Sequence, residues 1–133
     1  MTKQISATVE ETKESLYSVN ISVNGHQLKG DEPEDYGSKN IGPAPYDFLL
    51  AALGECTAMT LRWFALQQNW PLEKVEVFLT HEKRGKTDFF TKKITIHGDL
   101  LTSEQRQKLH EVSAKCPVHK TLTSEVVIET LEG

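Results

Sequence analysis

The most nucleophilic side chains of this chain are its two cysteines, Cys56 and Cys116. A cysteine thiolate attacks peroxides and disulfides and binds soft metal ions, whereas the protonated thiol is far less reactive. Two cysteines sixty positions apart are too few for a disulfide scaffold, and in a cytosolic protein they are more naturally free thiols. The chemistry therefore depends on what stabilises a thiolate at either position.

Cys56 lies in the middle of a predicted helix, where residues three and four positions away are its surface neighbours. These neighbours are mostly apolar and include one hydroxyl: Ala52, Leu53, Met59, Thr60 and Trp63. Such surroundings raise the pKa of a thiol unless a cation or a hydrogen-bond donor stabilises its thiolate. A reactive Cys56 thus needs help from outside its helix, and an inert buried cysteine is the alternative.

Cys116 belongs to the segment Lys-Cys-Pro-Val-His-Lys, residues 115–120. It ends one predicted helix, which raises its pKa, and it can cap the next turn, whose N–H groups lower it. Lys115, His119 and Lys120 favour the thiolate if their side chains point inward. A cysteine that only packs against a helix end is the alternative.

A metal site is another kind of chemistry that these residues allow. Cys116 and His119 have the C-x-x-H spacing, and Cys56 with a carboxylate would complete a tetrahedral zinc site. One such half-motif is a weak signal, however, and the remaining histidines show no ligand pairing: His26, His81, His97 and His110. We therefore expect no metal ion.

The stretch that carries Cys56 is predicted to be a helix of about six turns that opens at Pro45 and ends at Pro71. Nearly all of its faces between 46 and 66 are apolar. A helix that is apolar all round must be surrounded, and one small sheet covers only part of it. We therefore expect a homodimer with this helix at its centre.

Three charged residues interrupt this apolar stretch, namely Asp47, Glu55 and Arg62. Because each is costly at the centre of a bilayer, we expect no membrane insertion. The helix dipole explains Asp47 in the first turn. Glu55 and Arg62 share a stripe two turns apart, and an unpaired buried charge is expensive, so we expect a structural ion pair within the chain or across a dimer.

The elements before the helix are predicted to be β-strands. Residues 5–11 and 16–23 have strand patterns, Asn24-Gly25 is a strong hairpin signal, and 26–29 form the returning strand. Residues 30–45 lack periodicity, and such long loops are usually functional covers or are held by a partner. His26 and Asp31-Glu32 flank this loop and are expected to form a solvated hairpin end.

The elements after the helix alternate between strand and helix. Strands are expected around 75–79 and 94–96, with a turn at 84–88. Thr102 or Ser103 caps a helix in which Leu109, Val112 and Cys116 share one face. Pro117 stops this helix and starts a short turn over 118–122, and residues 125–131 are expected to close the chain as a strand.

Length and charge limit the classes of protein to consider. The chain has 133 residues and a net charge of −4, which fit a single domain over residues 1–133. Its lysines and arginines form no long block, so we expect no nucleic-acid surface. The N-terminus lacks the apolar core of a signal peptide, and we expect a cytoplasmic protein.

Two segments together resemble a known family, the OsmC-like proteins that include the organic hydroperoxide resistance proteins. Residues 42–57, GPAPYDFLLAALGECT, resemble the central helix of that family. Residues 116–122, CPVHKTL, look like its second cysteine motif. The order of the surrounding elements is similar too, so that the resemblance covers nearly the whole chain.

The resemblance implies an α+β fold in which antiparallel sheets pack around a long central apolar helix, in an intertwined homodimer with active sites at the subunit interface. It implies that Cys56 is the peroxidatic thiol and Cys116 the resolving thiol. Peroxide would convert Cys56 to a sulfenic acid, and Cys116 would condense with it to a disulfide. An external dithiol, such as a lipoylated protein, would reduce that disulfide, and no cofactor is implied.

Two positions depart from the family pattern. The peroxidases of the family hold the thiolate with an arginine from the N-terminal sheet region, oriented by a glutamate just after the proline that opens the helix. This chain has no arginine before Arg62, and Tyr46 follows Pro45, with a carboxylate only at Asp47. The missing cation is therefore expected from another residue: His26, Lys29 or Lys39.

Two classes of function follow from these residues. The first is a cysteine-based hydroperoxide reductase, with His26, Tyr46, Asp47, Arg62 and His119 as candidate thiolate-stabilising or pocket residues. The second is a non-catalytic dimer that binds a small apolar or thiol-reactive ligand in the interfacial pocket. A cation within hydrogen-bond reach of the thiol pair distinguishes the first from the second.

Overall fold

The computed structural model of the chain describes residues 4–133. Two antiparallel sheets and one long helix give the α+β class that the sequence predicts. The chain forms two compact units, one ending at Leu49 and one beginning at Leu50. That residues 1–133 form a single domain stays a prediction, and the expectation about export also rests on residues 1–3, which lie outside the described residues.

The first unit contains a three-stranded sheet in the order β1-β2-β3. Its strands are β1 (Ala7–Glu11), β2 (Val19–Val23) and β3 (His26–Gly30). Asn24 and Gly25 connect β2 to β3 with φ of 48° and 79°, the positive values that a type I′ turn needs. The predicted hairpin is confirmed.

The loop after β3 is held by a buried carboxylate. Asp31 is only 4% exposed and accepts hydrogen bonds from the Ser38 hydroxyl and from the N–H groups of Glu32 and Ile41. Burial works against its ionisation, but these donors outweigh burial and hold the pKa of Asp31 well below its usual range. The expectation of a solvated hairpin end is therefore wrong for Asp31, because the loop folds back over it.

The long helix α1 spans Pro45–Gln68. It ends three residues before Pro71, where Asn69 takes a left-handed φ of 56°. Length and composition alone would let α1 cross a membrane, but the core helix of a soluble protein meets the same criterion. Met59, Trp63 and Leu66 form an exposed apolar stripe on α1, so the expected homodimer stays a prediction.

The second unit packs the C-terminal part of α1 on a hairpin of two long strands, β4 (Lys74–Arg84) and β5 (Thr87–His97). Gly54 lets helix and strand approach closely, since a Cβ there would lie 2.6 Å from a methyl group of Leu79. The core of this unit combines residues of α1, of β5 and of the segments that follow each of them: Leu61, Ala65, Leu72, Ile96, Leu101, Leu109 and Val112.

Two short helices follow the hairpin, α2 (Ser103–Val112) and α3 (Pro117–Leu122). Thr102 caps α2 in a reciprocal box with Gln105, which decides between the two predicted caps. Leu109, Val112 and Cys116 are all buried, as their shared face predicts.

The predicted strand over residues 125–131 is not formed. This segment belongs to neither sheet, and its apolar side chains are exposed: Val126, Val127, Ile128 and Leu131. A strand exists only where a neighbour supplies its ladder of hydrogen bonds, and no described strand of this chain does so. The alternation of apolar and polar residues in the sequence does not reveal whether a neighbouring strand is present.

Candidate functional site

The two cysteines meet in the second unit. Cys56 lies in the middle of α1, and Cys116 is the N-cap residue of α3. Consecutive backbone N–H groups donate to the two sulfurs: Val118 to Cys56 at 3.4 Å and His119 to Cys116 at 3.3 Å. Both thiols are free, and the two sulfurs lie within hydrogen-bond reach of each other.

The local sequence explains the position of Cys116. Pro117 occupies the first turn of α3, where a missing N–H costs nothing, and it keeps the preceding residue extended. Cys116 accordingly has φ of −67° and ψ of 138°, and its sulfur turns towards the open N–H groups of α3. The sulfur of Cys116 is fully buried, whereas Cys56 remains partly exposed. The two thiols therefore differ in access to solvent.

A lysine that the sequence analysis did not single out completes the cluster. Lys92, on β5, donates from Nζ to Thr57 Oγ1 at 3.0 Å and to the Ser113 carbonyl at 2.9 Å. Thr57 Oγ1 in turn lies 2.8 Å from the Leu53 carbonyl and 3.7 Å from Cys116 Sγ, in geometry for donation to either. The positive charge of Lys92 thus lies one hydroxyl group away from the Cys116 sulfur.

Strand periodicity could have identified Lys92. Side chains alternate across a strand, and Lys92 shares its face with Ile94 and with the buried Ile96. A lysine in register with core residues is half-buried and needs polar partners. The family pattern, which has its arginine in the N-terminal sheet region, had instead favoured His26, Lys29 or Lys39 as the cation.

The environments of the two thiols shift their pKa values in opposite directions. Burial raises the pKa of Cys56, and Cys116 adds to the rise, against the effect of the Val118 N–H. Burial also acts against the Cys116 thiolate, but hydrogen bonds from His119, Cys56 and Thr57, with the charge of Lys92, lower the pKa of Cys116 overall. The thiolate is therefore favoured at Cys116.

His119 and its neighbouring lysines have different roles from those considered in the sequence. Burial and the charge of Lys92 lower the pKa of the His119 imidazole, which disfavours its charged form. Its backbone N–H donates a hydrogen bond to the Cys116 sulfur. Lys115 and Lys120 are exposed and do not point inward.

Arg62 stabilises the connection after α1. Its guanidinium donates to the carbonyl oxygens of Leu72 at 2.8 Å and Glu73 at 3.1 Å. Glu55 is exposed on the same helix. The ion pair that the sequence suggested between Glu55 and Arg62 is therefore not formed within the chain, because Arg62 satisfies its donors on backbone carbonyls.

The other predicted site residues belong to the first unit. Asp47 accepts the N–H of Ala44 at 2.9 Å and caps the start of α1, and Tyr46 beside it is exposed. His26 is exposed at the start of β3, and Lys29 pairs with Glu14. A role of these residues near Cys56 stays a prediction.

Among residues 4–133, no group of three or more His, Cys, Asp and Glu side chains is placed to hold a metal ion. The polar groups around the two sulfurs are an ammonium group, the hydroxyl groups of Thr57 and Thr60, and backbone N–H groups. These are hydrogen-bond donors, and donors stabilise anionic sulfur. The arrangement is therefore suited to thiol chemistry.

Comparison with known structures places the fold. An OsmC-like protein from Mycoplasma pneumoniae is 21% identical, with 92% of this chain and 89% of that chain covered and a TM-score of 0.76. The organic hydroperoxide resistance protein OhrB of Bacillus subtilis is 16% identical, with 90% of each chain covered and a TM-score of 0.62. An organic hydroperoxide resistance protein OsmC from Legionella pneumophila is 15% identical, with 92% and 90% covered and a TM-score of 0.66. At these identities the likeness establishes the fold.

A search of curated proteins found no match. The model of one protein family, described as OsmC-like protein, matches residues 37–131, which include α1, both cysteines and Lys92. In this fold α1 is the core helix of a soluble protein. The chain belongs to the OsmC-like protein family.

Proposed function

We propose that this protein is a cytoplasmic, homodimeric thiol peroxidase that reduces organic hydroperoxides through Cys56 and Cys116. The observation that carries the proposal is the thiol pair itself, in which a partly exposed and a buried cysteine share one cluster of hydrogen-bond donors. Membership of the OsmC-like family and structural neighbours named for hydroperoxide resistance support a redox role.

The different access of the two thiols to solvent supports different roles for them in the reaction. Cys56 is partly exposed, so a peroxide can reach it, whereas the sulfur of Cys116 is fully buried. Cys56 attacks the distal oxygen of the peroxide, the O–O bond breaks, and an alcohol and a Cys56 sulfenic acid result. Cys116 then attacks the sulfenic sulfur and forms a disulfide, which an external dithiol reduces.

The surroundings of Cys56 favour organic peroxides over hydrogen peroxide. Its neighbours on α1 include Ala52 and Met59, and Met59 is 61% exposed. An apolar wall next to the reacting sulfur binds the hydrocarbon part of a substrate by removing apolar surface from water, at about 25 cal/mol per Å². Hydrogen peroxide offers no such surface.

The test is consumption of an organic hydroperoxide with a dithiol as reductant, dihydrolipoamide or dithiothreitol. The wild type is expected to turn over, and Cys56→Ser to lose activity at least about a hundredfold, because it removes the nucleophile. Cys116→Ser is expected to lose turnover with dithiols, although its Cys56 can still react once with peroxide at a lower rate. Turnover by Cys56→Ser at the wild-type rate would refute the proposal.

One observation favours the second class of function, ligand binding without catalysis. The first unit has a cavity of about 600 Å³ with an apolar lining that includes Tyr17, Val19, Ile21 and Phe48. This is within the usual size of small-molecule sites. If this class is correct, an apolar fluorescent probe binds equally well to the wild type and to the variant in which both cysteines are serine, and neither consumes peroxide.

A further inference from the structure

The two sulfurs of the site have unequal support from hydrogen-bond donors. Cys116 is approached by the N–H of His119 at 3.3 Å and by the Thr57 hydroxyl at 3.7 Å, and the Cys56 thiol lies beside it. For Cys56 the corresponding backbone donor is the N–H of Val118 at 3.4 Å, and the Thr60 hydroxyl adds a smaller contribution. The buried sulfur is thus the better-supported site for a negative charge.

Lys92 further favours a negative charge on Cys116 over one on Cys56. Two contacts fix its ammonium group, with the Ser113 carbonyl and with Thr57 Oγ1. Since an ammonium group has only donors, Thr57 must accept from Lys92, and its own proton is left for Leu53 or Cys116. A thiolate at Cys116 gives that proton a charged acceptor and gives Lys92 a nearby counter-ion in a half-buried place, where water screens the attraction less.

We infer that Cys116 is the resting thiolate of the reduced pair and the base that takes the proton of Cys56, and that Lys92 and Thr57 are positioning residues for this charge. The inference deepens the proposed function, because it gives the buried cysteine a role before the disulfide forms. It also explains how Cys56 can react with a peroxide although its surroundings disfavour its own thiolate.

Cys56, Cys116 and the hydroperoxide account for every proton and electron of the cycle. The proton of the Cys56 thiol passes to the Cys116 thiolate as Cys56 sulfur attacks the distal oxygen of the hydroperoxide. The O–O bond breaks, and the departing alkoxide takes that proton from Cys116 and leaves as the alcohol. Cys116, again a thiolate, attacks the sulfenic sulfur, expels hydroxide and forms the disulfide, so the hydroperoxide is reduced by two electrons from the two sulfurs.

The titratable groups that face Cys116 come from three elements: Cys56 on α1, Lys92 on β5 and His119 on α3. The lowered pKa of Cys116 and the raised pKa of Cys56 agree with the geometry. Burial and the charge of Lys92 lower the pKa of His119, which disfavours a positive charge on its imidazole. Burial also lowers the pKa of Lys92, while the charges of Cys116 and Cys56 act in the opposite direction, so Lys92 is the facing ammonium group that a thiolate stabilises.

The first arm of the test is titration of the thiolate by its ultraviolet absorbance in two single variants. In Cys56→Ser, Cys116 is expected to ionise below the ordinary cysteine pKa of about 8.5. In Cys116→Ser, Cys56 is expected to ionise above it. The reverse order would overturn the inference, and it would leave the proposed function standing with Cys56 as the thiolate.

The second arm tests Lys92 in the Cys56→Ser background. Lys92→Met is expected to raise the pKa of Cys116 by at least about one unit in the same absorbance titration. Lys93→Met is the matched control, because the neighbouring Lys93 is exposed. Lys92→Arg is expected to restore a lowered pKa, and circular dichroism checks that each variant is folded.

Thr57→Val provides an independent variant without loss of the lysine, and it is expected to raise the pKa of Cys116 in the same direction. An unchanged pKa of Cys116 in both Lys92→Met and Thr57→Val would refute their positioning role. If the thiolate is found at Cys116 but no variant or wild type consumes peroxide, the inference holds and the proposed peroxidase function fails. The two claims are thus tested separately.

Discussion

Among single residues, the two cysteines could be predicted as site residues from the sequence, whereas the polar groups around them could not. Both cysteines were identified from their chemistry, and their motifs placed them in the correct elements. The partners of the sulfurs, Lys92 and Thr57, come from β5 and α1 and meet only in the folded unit. Such long-range contacts leave no local pattern beyond the inward register of one lysine on a strand.

Asp31 gives a prediction about pH at the same scale. Its pKa is lower in the folded chain than the ordinary value of about 3.9, so below that value the unfolded chain binds more protons. The stabilisation is therefore complete above pH 4 and is lost as the pH falls through the folded pKa. Thermal unfolding of Asp31→Asn is expected to occur at a lower temperature than wild type at neutral pH and to depend less on pH below 4.

Glu34→Gln is the control for this prediction, since Glu34 is exposed near the same loop. It is expected to follow the wild type at every pH. Equal unfolding temperatures of Asp31→Asn and wild type at neutral pH would show that the hydrogen bonds of the loop to Asp31 contribute nothing to stability.

Sequence patterns predicted most of the helices and strands. They failed where a strand forms only if a neighbouring strand pairs with it. The hairpin at Asn24-Gly25, the long helix from Pro45 and the helix after Thr102 have local signals, namely turn residues, a helix-start proline and a capping box. Strands β4 and β5 are longer than predicted because each supplies the other's hydrogen bonds. Residues 125–131 have a strand pattern without a strand in this chain.

The cap of α2 gives a prediction for one element. Thr102→Ala removes the side-chain acceptor of the Gln105 N–H and is expected to lower the free energy of unfolding by about 1 kcal/mol. Ser103→Ala is the control, because Ser103 lies inside the first turn and is not the cap. Urea unfolding measures both. A larger loss for Ser103→Ala than for Thr102→Ala would contradict the assignment of the cap.

At the scale of the whole molecule, the exposed apolar stripe of α1 predicts a homodimer. Met59, Trp63 and Leu66 are each more than half exposed, and their spacing places them on one side of the helix. Trp63→Glu is expected to shift the mass in solution from twice the chain mass to the 15.0 kDa of one chain, because a carboxylate would be buried without a partner.

Gln68→Glu is the matched control for the dimer, since it adds the same charge at the exposed C-terminal end of α1 on the other side of the helix. It is expected to remain dimeric in light scattering. A monomeric wild type at micromolar concentration would refute the homodimer, and Trp63→Glu that remains dimeric would place the interface elsewhere.

The central claim is that Cys56 reacts with peroxide and that Cys116 resolves the product. The most direct measurement is the intact mass of the reduced protein after addition of one equivalent of an organic hydroperoxide. We expect a loss of two hydrogen atoms in the wild type, a gain of one oxygen atom in Cys116→Ser, and no change in Cys56→Ser. Oxidation of Cys56→Ser at the wild-type rate, or a wild type whose mass does not change, would contradict it.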